Sequence, residues 1–236
     1  MSDTPFAVTA CLETGVVLSD SAYLTLDALL AAMIFVATDG DVSRAHGDIP
    51  LRRTGAVWCG SAAFLDAVAR TSFSPAFKSS LSPREEMWLP PNVWQGKVAK
   101  KPRLGRVDQK RGRYNATMDQ YVAIHADTAT WYGRGDLAAV RELLADLRSI
   151  GKKFRQGWGR VSRVEVVEAD DDRSLEYVDD AGTRHPMRPI PVTQWGDPSG
   201  CLVRGVVPDP PYFDATREVV CVVPSSRVAP WAGRFA

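Results

Sequence analysis

The sequence has few of the residues that build disulfide frameworks, metal centres and membrane spans. Its four cysteines are widely scattered without a CxxC pair, and it holds only three histidines in 236 residues. No HExxH or comparable ligand spacing occurs, which argues against a zinc site. The most apolar run, at 24–37, is interrupted by Asp27 and falls short of the ~20 residues that cross a bilayer. The start of the chain lacks the basic and apolar segments of a signal peptide.

These absences predict a reduced, cytoplasmic protein with no metal, no cofactor and no membrane partner. Motifs for nucleotide cofactors are missing as well. Gly157-Trp158-Gly159 lacks the third glycine of GxGxxG and precedes a predicted strand, and no Lys-Ser or Lys-Thr pair follows these glycines as in a P-loop. There is no GxSxG elbow for a serine nucleophile. We therefore expect no catalytic residues and no enzyme activity.

The net charge of +1 conceals two concentrated basic segments. Residues 97–113 hold eight cations and one anion, and residues 151–163 hold five cations and no anion. The remainder of the chain has 16 cations against 27 anions. Charge concentrated in this way predicts a local binding surface for a polyanion, without a basic isoelectric point. Two solvated surface loops are the alternative interpretation.

The second basic segment contains the most informative stretch, a glycine-rich loop at 151–160. Glycine permits close backbone approach, lysine and arginine bind phosphates, and aromatic rings stack on bases. All three properties occur together in Gly151, Lys152, Lys153, Phe154, Arg155, Gln156, Gly157, Trp158, Gly159 and Arg160. We therefore predict that the loop binds single-stranded RNA. A tight turn with Gly151 as the helix C-cap accounts for the first half of the motif only.

Glycines at intervals in the first basic segment favour a long hairpin, which we call the thumb. Its predicted nucleic-acid contacts are the cations Lys97, Lys100, Lys101, Arg103, Arg106, Lys110, Arg111 and Arg113. Tyr114, at its end, is a further candidate for contact with a base. His46 is another candidate, because it is predicted to lie in a loop beside the carboxylate of Asp48 and because histidine is the residue type most often used as a general base near neutral pH. His125 is interpreted as half-buried within an apolar strand.

The apolar pattern predicts strands alternating with helices. The predicted strands are 6–12, 56–60, 120–126, 161–167 and 219–223, with a hairpin starting at 175–178. The predicted helices are 25–37, 62–69 and 137–150, with Thr25, Ser61 and Asp136 as N-caps. We expect a loop at 43–55 and mostly irregular structure at 71–96. The order of elements is that of an α+β, ferredoxin-like fold, which RNA-recognition (RRM-like) domains also use.

The predicted organisation is a ferredoxin-like core at 1–168 and a C-terminal extension at 169–236. The thumb hairpin is a basic insertion into the core near 90–118. The extension is rich in proline and in predicted strands, and we expect it to pack on the core.

The glycine-rich loop, between helix and strand, resembles that of the RAMP superfamily of CRISPR-associated proteins. In those proteins the loop follows the last helix of a ferredoxin-like fold and contacts guide RNA. Further segments are similar, in the same order, to the RAMP subunit of type IV CRISPR effector complexes that caps the 5′ handle of the guide. These segments are 24–32, 46–51, 58–62 and Pro210-Pro211-Tyr212 ahead of Cys221 and Pro224.

The resemblance implies a non-catalytic crRNA-binding subunit of a ribonucleoprotein that acts in antiviral and anti-plasmid interference. It would hold the crRNA 5′ handle, help to contact target DNA, and bind backbone RAMP subunits and other subunits of the complex. One alternative is a metal-independent endoribonuclease that processes precursor crRNA, with His46 or His125 as base. Another is a protein-interaction module whose basic segments meet acidic partner surfaces.

Overall fold

The computed structural model describes residues 3–18, 23–73 and 120–226, together with the dipeptides 76–77, 94–95, 106–107 and 117–118. The fold is mixed α/β, with mostly antiparallel sheets and few helices. Contacts divide the chain into a first unit, Met1–Thr71 with Ala123–Ala236, and a second unit, Ser72–Val122.

The elements are numbered in chain order. The strands are β1 (Thr4–Leu12), β2 (Val16–Val17), β3 (Arg53–Thr54), β4 (Val57–Trp58), β5 (Phe64–Phe73), β6 (Ala76–Phe77), β7 (Trp94–Gln95), β8 (Arg106–Val107), β9 (Thr117–Met118), β10 (Tyr121–Gly135), β11 (Val161–Glu168), β12 (Glu176–Val178), β13 (Arg184–Pro186), β14 (Ile190–Pro191), β15 (Leu202–Val206) and β16 (Val219–Val223). The helices are α1 (Leu26–Ala37), α2 (Val42–Gly47), α3 (Leu137–Leu144) and α4 (Val192–Trp195). Short 3-10 turns occur at Phe154–Gln156 and Ala215–Arg217.

The main sheet is built around β1. This strand pairs antiparallel with β11 on one side and with β10 on the other. Strand β10 also pairs with β2 and with β5. Phe6, Val8 and Ala10 are fully buried, as expected for alternate residues that face the core. The predicted strands at 6–12 and 161–167 are therefore confirmed, and the strand predicted at 120–126 extends to Gly135.

Helices α1 and α3 contribute to the same hydrophobic core. Leu30 and Ile34 of α1 and Val140 and Leu144 of α3 belong to this core, as does the fully buried Trp131 of β10. The α1 prediction is confirmed, because the helix spans Leu26–Ala37.

The N-caps of these helices behave differently. Asp136 caps α3 as predicted, since its carboxylate accepts a hydrogen bond of 3.1 Å from the Ala139 amide. Thr25 lies at the N-cap position of α1 but makes no capping bond. Its hydroxyl instead lies 2.9 Å from that of Tyr212.

Helix α3 ends at Leu144, earlier than the predicted end at Ile150. Leu147 and Ile150 are buried in the core although they lie outside the helix. The Ile150 amide donates to the Gly159 carbonyl rather than along a helix. The spacing of apolar residues over 137–150 therefore predicts correctly which side chains meet the core, but it does not predict where the helix ends.

Two local predictions between residues 43 and 69 are wrong. Most of the predicted helix at 62–69 is strand, because β5 begins at Phe64 and its pairing with β10 outweighs the helical propensity of the alanines. Ser61 therefore caps no helix: its hydroxyl accepts from the Tyr132 amide at 2.8 Å. The predicted loop at 43–55 contains helix α2, which starts at an Asp41 cap, and strand β3.

The C-terminal part of the first unit forms two small antiparallel sheets. One is the hairpin β12–β13, which confirms the hairpin predicted from 175–178. The other has the order β14-β16-β15 and contains the predicted strand at 219–223. Ile190, Trp195 and Val222 form a second buried cluster there.

A buried ion pair joins this C-terminal part to α1. The Arg188 guanidinium donates to the Asp27 carboxylate at 3.0 Å, and both side chains are completely buried. Arg188 also donates to the carbonyls of Trp58 and Pro208, and the Tyr212 hydroxyl donates to Asp27. Burial, followed by the Asp27 charge, raises the pKa of Tyr212 well above its ordinary value. The phenol is therefore a neutral donor.

The second unit is described at four dipeptides and at the ends of β5 and β10. Strand β6 pairs with β9, and β7 pairs with β8 in the register Trp94↔Val107 and Gln95↔Arg106. Among the described residues of the whole chain, no helix combines the length and apolar character that a membrane crossing requires.

Candidate nucleic-acid interface

The glycine-rich loop, residues 151–160, is closed at its base by hydrogen bonds between its two flanks. The Ile150 amide donates to the Gly159 carbonyl at 2.8 Å, and the Val161 amide donates to the Arg148 carbonyl at 3.0 Å. Residues 145–150 form the core segment after α3. These bonds bring the end of this segment next to the start of β11. The residues between them include the 3-10 turn Phe154–Gln156.

The loop is also anchored on the turn between β1 and β2. The Lys152 amide donates to the Val17 carbonyl at 2.7 Å, and the Gly159 amide donates to the Gly15 carbonyl at 2.8 Å. The Thr14 hydroxyl donates to the Gly157 carbonyl at 2.9 Å and accepts from the Arg160 amide at 3.0 Å. Contacts with this turn and with β2 therefore hold the two ends of the loop before any ligand arrives.

The three glycines of the loop serve two purposes. A Cβ at Gly151 would lie 2.7 Å from the Val17 oxygen, and one at Gly159 would lie 1.9 Å from the Ile150 oxygen. Both have positive φ, so these two glycines are required by the packing of the loop on its own protein. Gly157 also has positive φ, but nothing lies within 4 Å of its Cβ position. Within the loop, Gly157 therefore leaves open space beside its Cα for a ligand, while its N–H and carbonyl are bonded to Phe154 and Thr14.

The cations of the loop differ in their surroundings. Lys152 and Arg155 are exposed, whereas Lys153 is half-buried and adopts a left-handed conformation at φ 63°. Arg160 is exposed, and its guanidinium lies 3.5 Å from the Glu13 carboxylate. A surface pair of this kind is weak, so Arg160 can exchange its partner for a phosphate at little cost.

The two aromatic residues also differ. Phe154 is 55% exposed, and the Arg155 guanidinium lies 5.9 Å from the centre of its ring. Trp158 is half-buried and meets the His125 ring edge-on, with ring centres 6.4 Å apart. Phe154 therefore presents a face on which a base can stack, whereas Trp158 anchors the loop to β10.

The three histidines lie on three different elements. His125 is half-buried on β10, as the sequence indicated, and its Nε2 lies 3.1 Å from the Thr71 hydroxyl. His46 lies on helix α2 and not in a loop, and the Asp48 carboxylate beside it accepts from Arg44 at 3.0 Å. His185 of β13 lies 3.0 Å from Asp179, and this contact, with the Thr183 amide, lowers the pKa of Asp179.

An apolar groove runs beside the loop, and sequence reasoning missed it. One wall is formed by α1 and the other by the core segment after α3, and the loop supplies the lip. The α1 wall consists of Ala28, Leu29, Ala32, Met33 and Val36, the opposite wall of Leu147, Ser149 and Ile150, and the lip of Lys152 and Phe154. The sequence feature that could have indicated the groove is that α1 is apolar on more than one face. Val36, for example, is 73% exposed because it lies outside the face that meets the core.

Most of the predicted thumb lies outside the described residues. Arg106 alone is described, in β8 opposite Gln95. The positions outside are Lys97, Lys100, Lys101, Arg103, Lys110, Arg111, Arg113 and Tyr114. Among the residues that the structure describes, no group of three or more His, Cys, Asp or Glu side chains is arranged to hold a metal ion.

Comparison with protein families matches the chain to the family described as CRISPR type IV associated protein Csf3. The matched residues are 4–224, which include the loop, α1 and the C-terminal sheets. Comparison with curated proteins gives no match.

Proposed function

The chain belongs to the Csf3 family of type IV CRISPR-associated, RAMP-type proteins, and from that premise we propose that it holds the 5′ handle of the guide RNA. Membership of this family supports a role in a CRISPR effector complex and implies further subunits as partners. The specific assignment to the RNA handle, and to the cytoplasm, is our proposal.

The strand order supports a ferredoxin-like, RAMP-type core. In the main sheet β11, β1 and β10 are neighbours in that order, and β5 pairs with β10. Helix α1 lies in the chain between β1 and β5, and helix α3 lies between β10 and β11. Two strand–helix–strand halves that interleave in one antiparallel sheet are the pattern of the split β-α-β fold.

The observation that carries the proposal is the anchored loop with exposed ligand groups. Its backbone is held by the turn between β1 and β2 and by β2 itself, so little conformational entropy remains to be lost on binding. Lys152 and Arg155 are exposed for phosphates, Phe154 for a base, and Gly157 for close backbone approach. Unpaired bases that stack on aromatic side chains are the usual target of sequence-specific RNA recognition.

In the proposed mechanism the loop acts as a fixed clamp. Lys152 and Arg155 neutralise phosphates of the handle, and Arg160 joins them by releasing Glu13. Phe154 stacks on one splayed base. The thumb at 97–113 supplies a second basic segment for RNA or target DNA, as the charge of its sequence indicates.

We propose binding without cleavage. General base catalysis by histidine gains from a partner that orients the ring. The Asp48 carboxylate next to His46 is engaged by Arg44, and His125 lies against Thr71 and Trp158. Incubation of the protein with repeat RNA in EDTA tests this point. We expect intact RNA; specific cleavage that disappears in His46→Ala or His125→Ala would establish the endoribonuclease instead.

The binding role is tested by salt-dependent affinity for handle RNA. Lys152→Ala combined with Arg155→Ala removes two exposed loop cations. If both neutralise phosphates, the slope of log K against log salt becomes less negative by about 1.4, which is about 0.7 for each contact on a single strand. Arg44→Ala combined with Arg204→Ala removes the same charge from exposed positions outside the loop and should leave the slope unchanged. Equal effects of the two double variants would contradict the proposal.

A further inference from the structure

We propose that the apolar groove between α1 and the glycine-rich loop receives one unstacked base of the bound RNA. The inference deepens the proposed function and rests on it, because the loop must first hold the strand. It assigns a ligand to a surface that nothing in the loop motif itself predicts.

The groove suits a flat, mostly apolar ligand. Its α1 wall carries Leu29, Ala32 and Met33, and the opposite wall carries Leu147 and Ile150. Base faces are apolar and stack without regard to sequence. Ser149 is one of the lining residues, and a serine hydroxyl can form a hydrogen bond with a base edge.

Charge distinguishes an RNA base from an apolar protein segment as the occupant. Among the described lining residues Lys152 is the charged one, and no carboxylate is present. Lys152 stands at the lip, and Arg155 follows it on the same loop beside the Phe154 ring. A strand whose phosphates meet Lys152 and Arg155 must therefore pass the mouth of the groove, where Phe154 is 55% exposed.

Helix α1 supplies the second observation. Phe35 and Val36 are 43% and 73% exposed, although they belong to a helix whose single charge, Asp27, is buried. A helix with an apolar face beyond its core-facing stripe has a further surface to cover. Val36 lines the groove, so an inserted base covers part of that surface.

The test combines RNA with single abasic sites and a matched pair of leucine variants. Ala32→Leu narrows the groove, whereas Ala37→Leu makes the same change at another exposed position of α1 outside the lining. For the wild type we expect one abasic position in the handle to weaken binding by about 5- to 150-fold. The Ala32→Leu variant should bind intact RNA more weakly than the wild type does. Removing the base at the sensitive position should then reduce its affinity very little further. Ala37→Leu should behave as the wild type.

The outcomes separate this inference from the proposed function. Binding that depends on Lys152 and Arg155, but shows no abasic position whose effect Ala32→Leu removes, overturns the groove and leaves the function standing. If binding depends neither on Lys152 and Arg155 nor on any abasic position, the proposed function is itself wrong. Handle RNA carrying 2-aminopurine at the sensitive position provides a measurement on the wild type alone. Its fluorescence should rise on binding, because the base leaves its stacked neighbours for a mainly aliphatic groove. A signal that rises at no position contradicts the inference even if Ala32→Leu fails to fold.

Discussion

The glycine-rich loop and the contact between α1 and the C-terminal sheets both use positively charged side chains, but the loop exposes them whereas Arg188 is buried. Arg155 lies at the surface beside an aromatic ring, in a loop anchored on the turn between β1 and β2. Arg188 is fully buried, with Asp27 and several carbonyls as acceptors. The comparison teaches that charge in this protein is divided between holding the fold and meeting a ligand, and that each group can be assigned by its surroundings.

The largest expected effect is on stability and comes from the buried pair. Arg188→Leu leaves the Asp27 carboxylate buried without its cation, so the free energy of unfolding should fall by about 3–5 kcal/mol. Urea unfolding followed by circular dichroism measures the change. The double variant Asp27→Leu with Arg188→Leu is the control and should recover part of the loss, because no uncompensated charge remains. A single variant as stable as the wild type would contradict the assignment.

The two kinds of loop glycine predict the next effect. Gly159→Ala sets a methyl group 1.9 Å from the Ile150 oxygen at a positive φ, and it should destabilise the protein by more than about 2 kcal/mol. Gly157→Ala meets no atom within 4 Å, so it should cost only the left-handed backbone conformation, about 1 kcal/mol. Thermal unfolding of both variants makes the comparison. Equal losses would show that the loop is not anchored at Gly159.

The aromatic pair separates binding from anchoring. Phe154→Ala should weaken binding of handle RNA by about 1–3 kcal/mol, while its free energy of unfolding stays within about 0.5 kcal/mol of the wild type. Trp158→Ala removes the contact with His125 and should lower stability as well. Fluorescence anisotropy and thermal unfolding on the same preparations provide both quantities. A stability loss confined to Phe154→Ala would reverse the two roles.

The smallest effect is expected at the surface pair of Arg160 and Glu13. Glu13→Gln should change the free energy of unfolding by less than about 1 kcal/mol, because both side chains are exposed. It should also raise affinity for handle RNA by about twofold, since an anion beside the loop is removed. Anisotropy at low salt detects the change, and Asp48→Gln, at an exposed carboxylate on another element, is the control. A fall in affinity would mean that Glu13 positions Arg160.

The sequence predicts those features that local patterns determine. The pattern of apolar residues predicted β1 and β11, and Asp136 caps α3 as its position indicated. The loop at 151–160 was located between a helix and a strand for the same reason. Its exposed cations and Phe154 follow from composition, because charged side chains rarely remain buried without partners.

The remaining features depend on contacts between distant residues. Asp27 and Arg188 are separated by 161 positions, so nothing near either residue indicates the pair. The sequence of β5 predicts a helix because alanine has a high helical propensity. The segment is a strand because it pairs with β10, which is distant in sequence. The roles of Gly151 and Gly159 become apparent only when Val17 and Ile150 lie beside them. The groove likewise exists only where α1 meets the loop.

The central claim is that residues 151–160 contact the 5′ handle of a guide RNA. Ultraviolet cross-linking of the native complex with its RNA, followed by mass spectrometry of the peptides, tests it most directly. The account predicts a cross-linked peptide containing Phe154 joined to a nucleotide of the handle. RNA cross-links that map to other parts of this chain or to other subunits, with none in the loop, would contradict it.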